Sequence, residues 1–166
     1  MIVNINGKDV EVTEVTIEQE MIADGDTLII TDPCCLLKDE DWNELGNTYG
    51  YDNLKEYLTE KHNFGELVCG DTGFGDWSNL IIEDDTDKEV GRFTADAGMF
   101  IVCTASDLTN YGIDKEKFDS YVRNGLIAVI PDYSGRVTVT RSAKDNFAQI
   151  HFEGATIHDK NYHTLD

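Results

Sequence analysis

Four aspartates stand within two residues of glycine or proline in three short segments. These are Thr31-Asp32-Pro33-Cys34-Cys35, Gly70-Asp71-Thr72-Gly73-Phe74-Gly75-Asp76-Trp77 and Ala95-Asp96-Ala97-Gly98-Met99. Each segment follows or opens an expected strand, where side chains from neighbouring strands converge. Two kinds of chemistry fit. In one, each aspartate accepts hydrogen bonds from backbone N–H groups of its own turn, and the glycines supply positive φ angles that other residues resist. In the other, Asp32, Asp71, Asp76, Trp77 and Asp96 line one cleft. That cleft would bind an amine, a polar ring or a hard cation such as Mg²⁺ or Ca²⁺, both of which prefer oxygen ligands. The glycine segment is not a phosphate loop: it lacks a closing Lys-Ser/Thr pair, and carboxylates at 71 and 76 repel phosphate.

The remaining reactive residues give weaker patterns. Cys34 and Cys35 are adjacent, Cys69 and Cys103 sit in apolar runs, and no Cys-x-x-Cys pair occurs. They read as reduced thiols. A nucleophilic Cys34 or Cys35 would need a cationic neighbour, and Lys38 is the only one close in sequence. His151, His158 and His163 match no metal-ligand spacing and read as surface histidines. Glu83-Asp84-Asp85-Thr86-Asp87 lacks the order of a calcium loop and reads as a solvated hairpin tip. No cofactor is expected outside the metal-assisted version of the cleft.

Charge is the strongest global signal. The chain holds 33 acidic against 13 basic residues, a formal charge of -20 over 166 residues, whereas solubility asks for a magnitude of only about 2 to 8. Such a surface repels nucleic acid and membranes and attracts basic partners. Eleven of the acids fall in three groups: Asp39, Glu40, Asp41 and Glu44; Glu83, Asp84, Asp85 and Asp87; and Asp114, Glu116 and Asp119. Duplex DNA carries one negative charge per roughly 1.7 Å of axis, so carboxylates gathered on one rigid face can occupy a DNA-binding groove. The function expected from this pattern is non-catalytic: an acidic binding protein that engages a basic, nucleic-acid-binding protein surface. The alternative is a small-molecule or nucleotide-derivative binder, or a hydrolase, built on the aspartate cleft.

The elements that would position these residues are set by periodicity and turn signals. Asn6-Gly7 predicts a hairpin joining strands at 1–6 and 10–15. The stretch 16–23 has no clear pattern, Asp24-Gly25-Asp26 reads as a turn, and a strand at 27–31 stops at Pro33. Helical spacing occurs at 39–45, ending near Gly46, and at 53–61, where Leu54, Tyr57 and Leu58 make one apolar stripe and Asp52 or Asn53 can cap. A third helix fits 114–123. Strands fit 66–69, 78–82, 90–94, 100–104, 126–130, 136–141 and 147–152, with a break at 131–135. The expected fold is α+β: an antiparallel β-rich sandwich or partly open barrel with about three short helices, in one domain over 1–166 with a flexible tail from about 155. No apolar run reaches membrane-spanning length, and the start lacks the pattern of a signal peptide, so a cytoplasmic location is expected.

The three motif segments carry a resemblance. The chain resembles a loose group of small bacterial and phage proteins with an Asp-Pro-Cys-aromatic segment after an early strand, a Gly-Asp-Gly-like turn, and an Asp-Ala-Gly segment opening an apolar strand. The order is also similar to that of the domain of unknown function DUF4241. The resemblance spans roughly residues 25 to 104, and the chain departs from it at Cys35, where the group has Tyr. It implies a β-rich fold and a mobile-element origin, and it implies no activity.

Overall fold

Asn6 and Gly7 adopt φ angles of 54° and 81°, the left-handed pair that a two-residue hairpin turn needs. The turn joins β1 (Ile2–Ile5) to β2 (Lys8–Glu11) in a small antiparallel sheet of their own. The computed structural model describes residues 2–11, 15–84, 88–144 and 146–153.

Two long strands dominate the main sheet. β3 (Val15–Thr31) and β8 (Ile127–Ser142) pair antiparallel along almost their whole length. The sequence signals predicted breaks in both, and the structure corrects them. Asp24-Gly25-Asp26 is a bulge, with Gly25 at φ 68° and its N–H donating to Ser134 Oγ at 2.7 Å. Opposite it, Asp132 and Gly135 take φ 52° and 149°, and the Tyr133 hydroxyl meets the carbonyls of Arg136 and Glu153 at 3.0 and 2.9 Å. Gly and Pro mark bulges as well as turns, and bulges facing each other across one pair bend both strands together. This bend curls the sheet.

The curled sheet has seven strands in the order β4-β7-β3-β8-β9-β5-β6, with β4 (Val68–Asp71), β5 (Ser78–Asp84), β6 (Glu89–Ala95), β7 (Met99–Thr104) and β9 (Ala148–Glu153). Neighbours are antiparallel except β5 and β9. The result is a half-barrel, a mixed α+β fold matching the partly open barrel expected. Alternation divides the side chains between two cores. Leu28, Ile30, Phe100, Val102 and Ile130 face the hollow of the half-barrel with Phe93 and Phe152, while Ile29, Ile101, Cys103 and Val129 face a helical layer. β7 is buried at all six positions because both faces are covered, which is why it reads as an unbroken apolar run.

The helical layer holds α1 (Asp39–Glu44), α2 (Leu54–His62), α3 (Ala105–Tyr111) and α4 (Lys115–Arg123), one more than expected. α3 is short and presents only Leu108 and Tyr111 to the core, with the Thr104 hydroxyl capping its start, too few apolar positions for periodicity to reveal. The first helix does not stop at Gly46. It runs on through a wide turn, Leu45–Tyr49, to Gly50 at φ 88°. Asn53 precedes α2 without making a side-chain cap. No described helix is long and apolar enough to cross a membrane.

Candidate functional site

Asp32 has no solvent exposure, and its carboxylate accepts three backbone N–H groups. Oδ1 takes that of Cys34 at 3.0 Å, and Oδ2 takes those of Ala97 and Met99 at 2.8 and 3.0 Å. Pro33 begins a single 3₁₀ turn, Pro33–Cys35, closed by Cys35 N–H donating to the Asp32 carbonyl at 2.9 Å. Proline suits that position because its missing N–H would have no partner there. Burial pushes the Asp32 carboxyl up, and the three N–H donors pull it back. Asp32 thus ties the Asp-Pro-Cys turn to the Asp-Ala-Gly turn.

The glycine-rich loop locks onto the same turn. Buried Thr72 donates both its N–H and its hydroxyl to the Gly98 carbonyl, at 2.9 and 2.8 Å, and its Oγ1 accepts from Phe74 N–H at 3.2 Å. Trp77 N–H donates to the Asp96 carbonyl at 3.2 Å. Gly98 sits at φ 72°, where a Cβ would lie 2.9 Å from the backbone carbon of Gly75; a Cβ on Gly73, at φ 83°, would lie 2.4 Å from the Asn146 carbonyl oxygen. Both positions therefore need glycine for conformation and for room.

All three motif segments converge, but their side chains do not line one cleft. Asp32 is interior and fully engaged. Asp71 is exposed, with Oδ1 accepting Gly73 N–H at 2.6 Å. Asp76 is exposed; Asp96 is half-buried, with Oδ2 3.9 Å from Cys34 Sγ. Trp77 is 65% exposed at φ 60°, a conformation that bulky residues rarely take and that is commonest at functional loops. Beside it, Phe74 and Phe147 stack with centroids 4.1 Å apart. Among the described residues no three His, Cys, Asp or Glu side chains are arranged to hold a metal ion.

An open polar cleft of about 730 Å³ lies next to this loop, sharing Gly70 and Asp71 with it. Glu18 and Gln19, which line it, come from the stretch 16–23 that shows no clear pattern in the sequence. Arg141 is its keystone: Nε donates to Glu18 at 2.6 Å, Nη1 to the Asn146 carbonyl at 2.6 Å and Nη2 to the Asp71 carbonyl at 2.7 Å. The Arg141 hydrogen bond holds the Glu18 carboxyl below its usual range. The Gln19 side chain bonds both backbone groups of Cys69, accepting at 3.2 Å and donating at 2.5 Å, and so closes part of the free edge of β4. With Arg141 committed to Glu18, the carboxylates of Asp52, Glu56 and Asp71 share the cleft with Lys55, and the site is net negative.

The acids assigned to partner contact are divided. Asp39 and Glu40 are exposed on α1, and Glu116 is exposed on α4. Asp114 caps α4 through Lys117 N–H at 3.2 Å, and it shares a groove with Asp39, Lys38 and Lys117; Asp119 is half-buried on the same helix. Glu83 and Asp84 lie at the other end of the sheet, where Glu83 is level with His151, Thr138 and Glu20 across four strands. Asp84 accepts Lys88 N–H at 3.0 Å. Asp85 and Asp87, like His158 and His163, lie outside the described residues.

Asp41 and Glu44 turn inward to a network that sequence reasoning missed. The Tyr111 hydroxyl makes a short bond to Asp41 Oδ2, and that of Tyr57 meets Glu44 at 2.8 Å and Asp41 at 3.4 Å. His62 Nε2 is 3.2 Å from the Tyr57 oxygen and 3.7 Å from Asp41, while Lys61 pairs with Glu44 at 2.9 Å. Burial first, and the adjoining carboxylates second, push both phenols up. The buried Tyr57 was visible in the α2 stripe. Its partners from α1, Asp41 and Glu44, were not.

No family model, no curated protein and no solved structure matches the chain, so the functional reading rests on this geometry.

Asp32→Ala leaves three buried N–H donors unpaired and is expected to cost about 3 kcal/mol in urea unfolding. Asp32→Asn should cost nearly as much, since one of its atoms becomes a donor facing donors, while Asp71→Asn stays near wild type. Phenols raised in the folded state stay protonated there, so their contribution to stability is complete below the unfolded pKa of about 10 and is lost as pH climbs beyond it. Phenolate absorbance should therefore show a late component that rises only with unfolding and is absent from the Tyr57→Phe/Tyr111→Phe variant.

Proposed function

We propose that the protein is a non-catalytic, acidic binding protein that engages a basic protein surface. The observation that supports this most directly is the cleft, where three carboxylates share one lysine beside a rigid loop that exposes Trp77 and Phe74. Exposed aromatics on a fixed backbone are the residues that most often carry binding energy, and cations bind well over their ring faces. The surrounding charge adds long-range attraction for a basic partner and repulsion of nucleic acid. Asp32, the most buried carboxylate, is committed to backbone donors, a structural role instead of a catalytic one. The partner class this favours is a nucleic-acid-binding protein whose groove the carboxylates occupy in competition with nucleic acid. Inhibition of such a protein is in keeping with the mobile-element origin that the motif resemblance implies.

The size of the cleft also favours a second reading, a small cationic or polar ligand held by Asp52, Glu56 and Asp71, since ligand sites commonly measure about 300–1,000 Å³. One experiment separates the two: capture from a bacterial lysate on immobilised protein, with mass spectrometry of retained proteins and small molecules. The proposal expects a basic nucleic-acid-binding protein that added duplex DNA displaces. Its affinity should fall roughly a hundredfold or more between about 50 and 200 mM salt, and Trp77→Ala or Asp52→Asn/Glu56→Gln/Asp71→Asn should weaken it. A retained small molecule without a protein partner, or a partner indifferent to salt and DNA, overturns the proposal.

A further inference from the structure

Along a strand, adjacent side chains point to opposite faces, but Cys34 and Cys35 are consecutive residues of one 3₁₀ turn, with Cys34 packed against the apolar cluster that holds Cys35. The turn is held rigid from outside. Asp32 fixes the N–H of both residues, Cys34 through its carboxylate and Cys35 through its carbonyl, and the same carboxylate is anchored to Ala97 and Met99. Cys34 is half-exposed and Cys35 is buried beneath it, so the pair is approached from the Cys34 side. Cys34 Sγ also lies 3.9 Å from Asp96 Oδ2, an acceptor for its proton. The other two cysteines, Cys69 and Cys103, are buried on separate strands.

We propose that Cys34 and Cys35 form a preorganised two-thiol site that captures trivalent arsenicals, a class of thiophilic ligand that bonds two sulfurs at once. In the capture of an organoarsenic oxide, two As–S bonds form and the As–O bonding is broken. The oxygen leaves as water with the two thiol protons, and arsenic stays trivalent, so no oxidant or reductant is required. The reaction starts from neutral thiols. Holding both sulfurs on one turn makes the second bond intramolecular, which slows release to competing monothiols.

Phenylarsine oxide added to the folded, full-length protein tests this by intact mass spectrometry. One phenylarsenic per chain is expected, retained against excess glutathione and removed by a small dithiol. Cys34→Ser and Cys35→Ser should each lower retention against glutathione by roughly a hundredfold or more, the loss of the intramolecular bond. Cys69→Ser/Cys103→Ser should bind as wild type does and keeps the test valid if a turn variant folds poorly. Absence of an adduct on the wild-type protein overturns the proposal. So does an adduct that survives glutathione in Cys34→Ser, or one that requires Cys69 or Cys103.

Discussion

A carboxylate removed from water carries a desolvation cost of several kcal/mol unless donors replace the lost solvent. For Asp32 the donors are three backbone N–H groups, two of them 65 and 67 residues distant along the chain. That requirement fixes the turn after β3 against the turn before β7. Once the Asp-Ala-Gly turn is fixed, its Gly98 carbonyl is in place to receive Thr72, and its Asp96 carbonyl to receive Trp77. The exposed aromatics are thus the last link in a chain that begins with one buried charge.

The half-barrel supplies the frame for this arrangement. Paired bulges in β3 and β8 curl the sheet, and the curl brings Glu18 and Gln19 of β3 over the free edge of β4, where Gln19 substitutes for a missing strand at Cys69. Arg141 then joins β8, the end of β4 and the 142–147 connection through one guanidinium. Its planar fork serves acceptors in fixed, divergent directions, a geometry that a lysine ammonium does not supply. The cleft is consequently a by-product of closure, and its charge comes from the acids left over after Arg141 is engaged. Packing of this kind gives a stiff surface, which under the proposed binding role would have little to reorganise on association.

Local signals carried much of this fold in the sequence, because they depend on local chemistry. Asn6-Gly7, the apolar stripe of Leu54, Tyr57 and Leu58, and the six-residue run of β7 each announce themselves within a few residues. Gly25 and the stretch Pro131-Asp132-Tyr133-Ser134-Gly135 misled, since a bulge and a turn use the same residues and differ only in what lies across the strand. α3 was missed because two apolar positions make no periodicity. The motif segments did converge as their composition suggested, yet their roles differ: Asp32 proved a structural clamp, while Glu18, Gln19 and Arg141, lying in strands with ordinary polar faces, carried no local mark of the cleft they build. The Asp41 network shows the same limit, since nothing near Asp41 or Glu44 distinguishes an inward carboxylate from a solvated one.

Native-state hydrogen exchange, comparing Asp32→Asn with the wild-type protein residue by residue, tests the clamp most directly. If one carboxylate organises all three segments, the amides of Cys34, Ala97 and Met99 lose protection together with those of Thr72 and Trp77, which Asp32 does not touch, while the paired amides of β3 and β8 keep theirs. Loss confined to Cys34, Ala97 and Met99, with Thr72 and Trp77 unchanged, would show that the glycine-rich loop holds itself and would contradict the account.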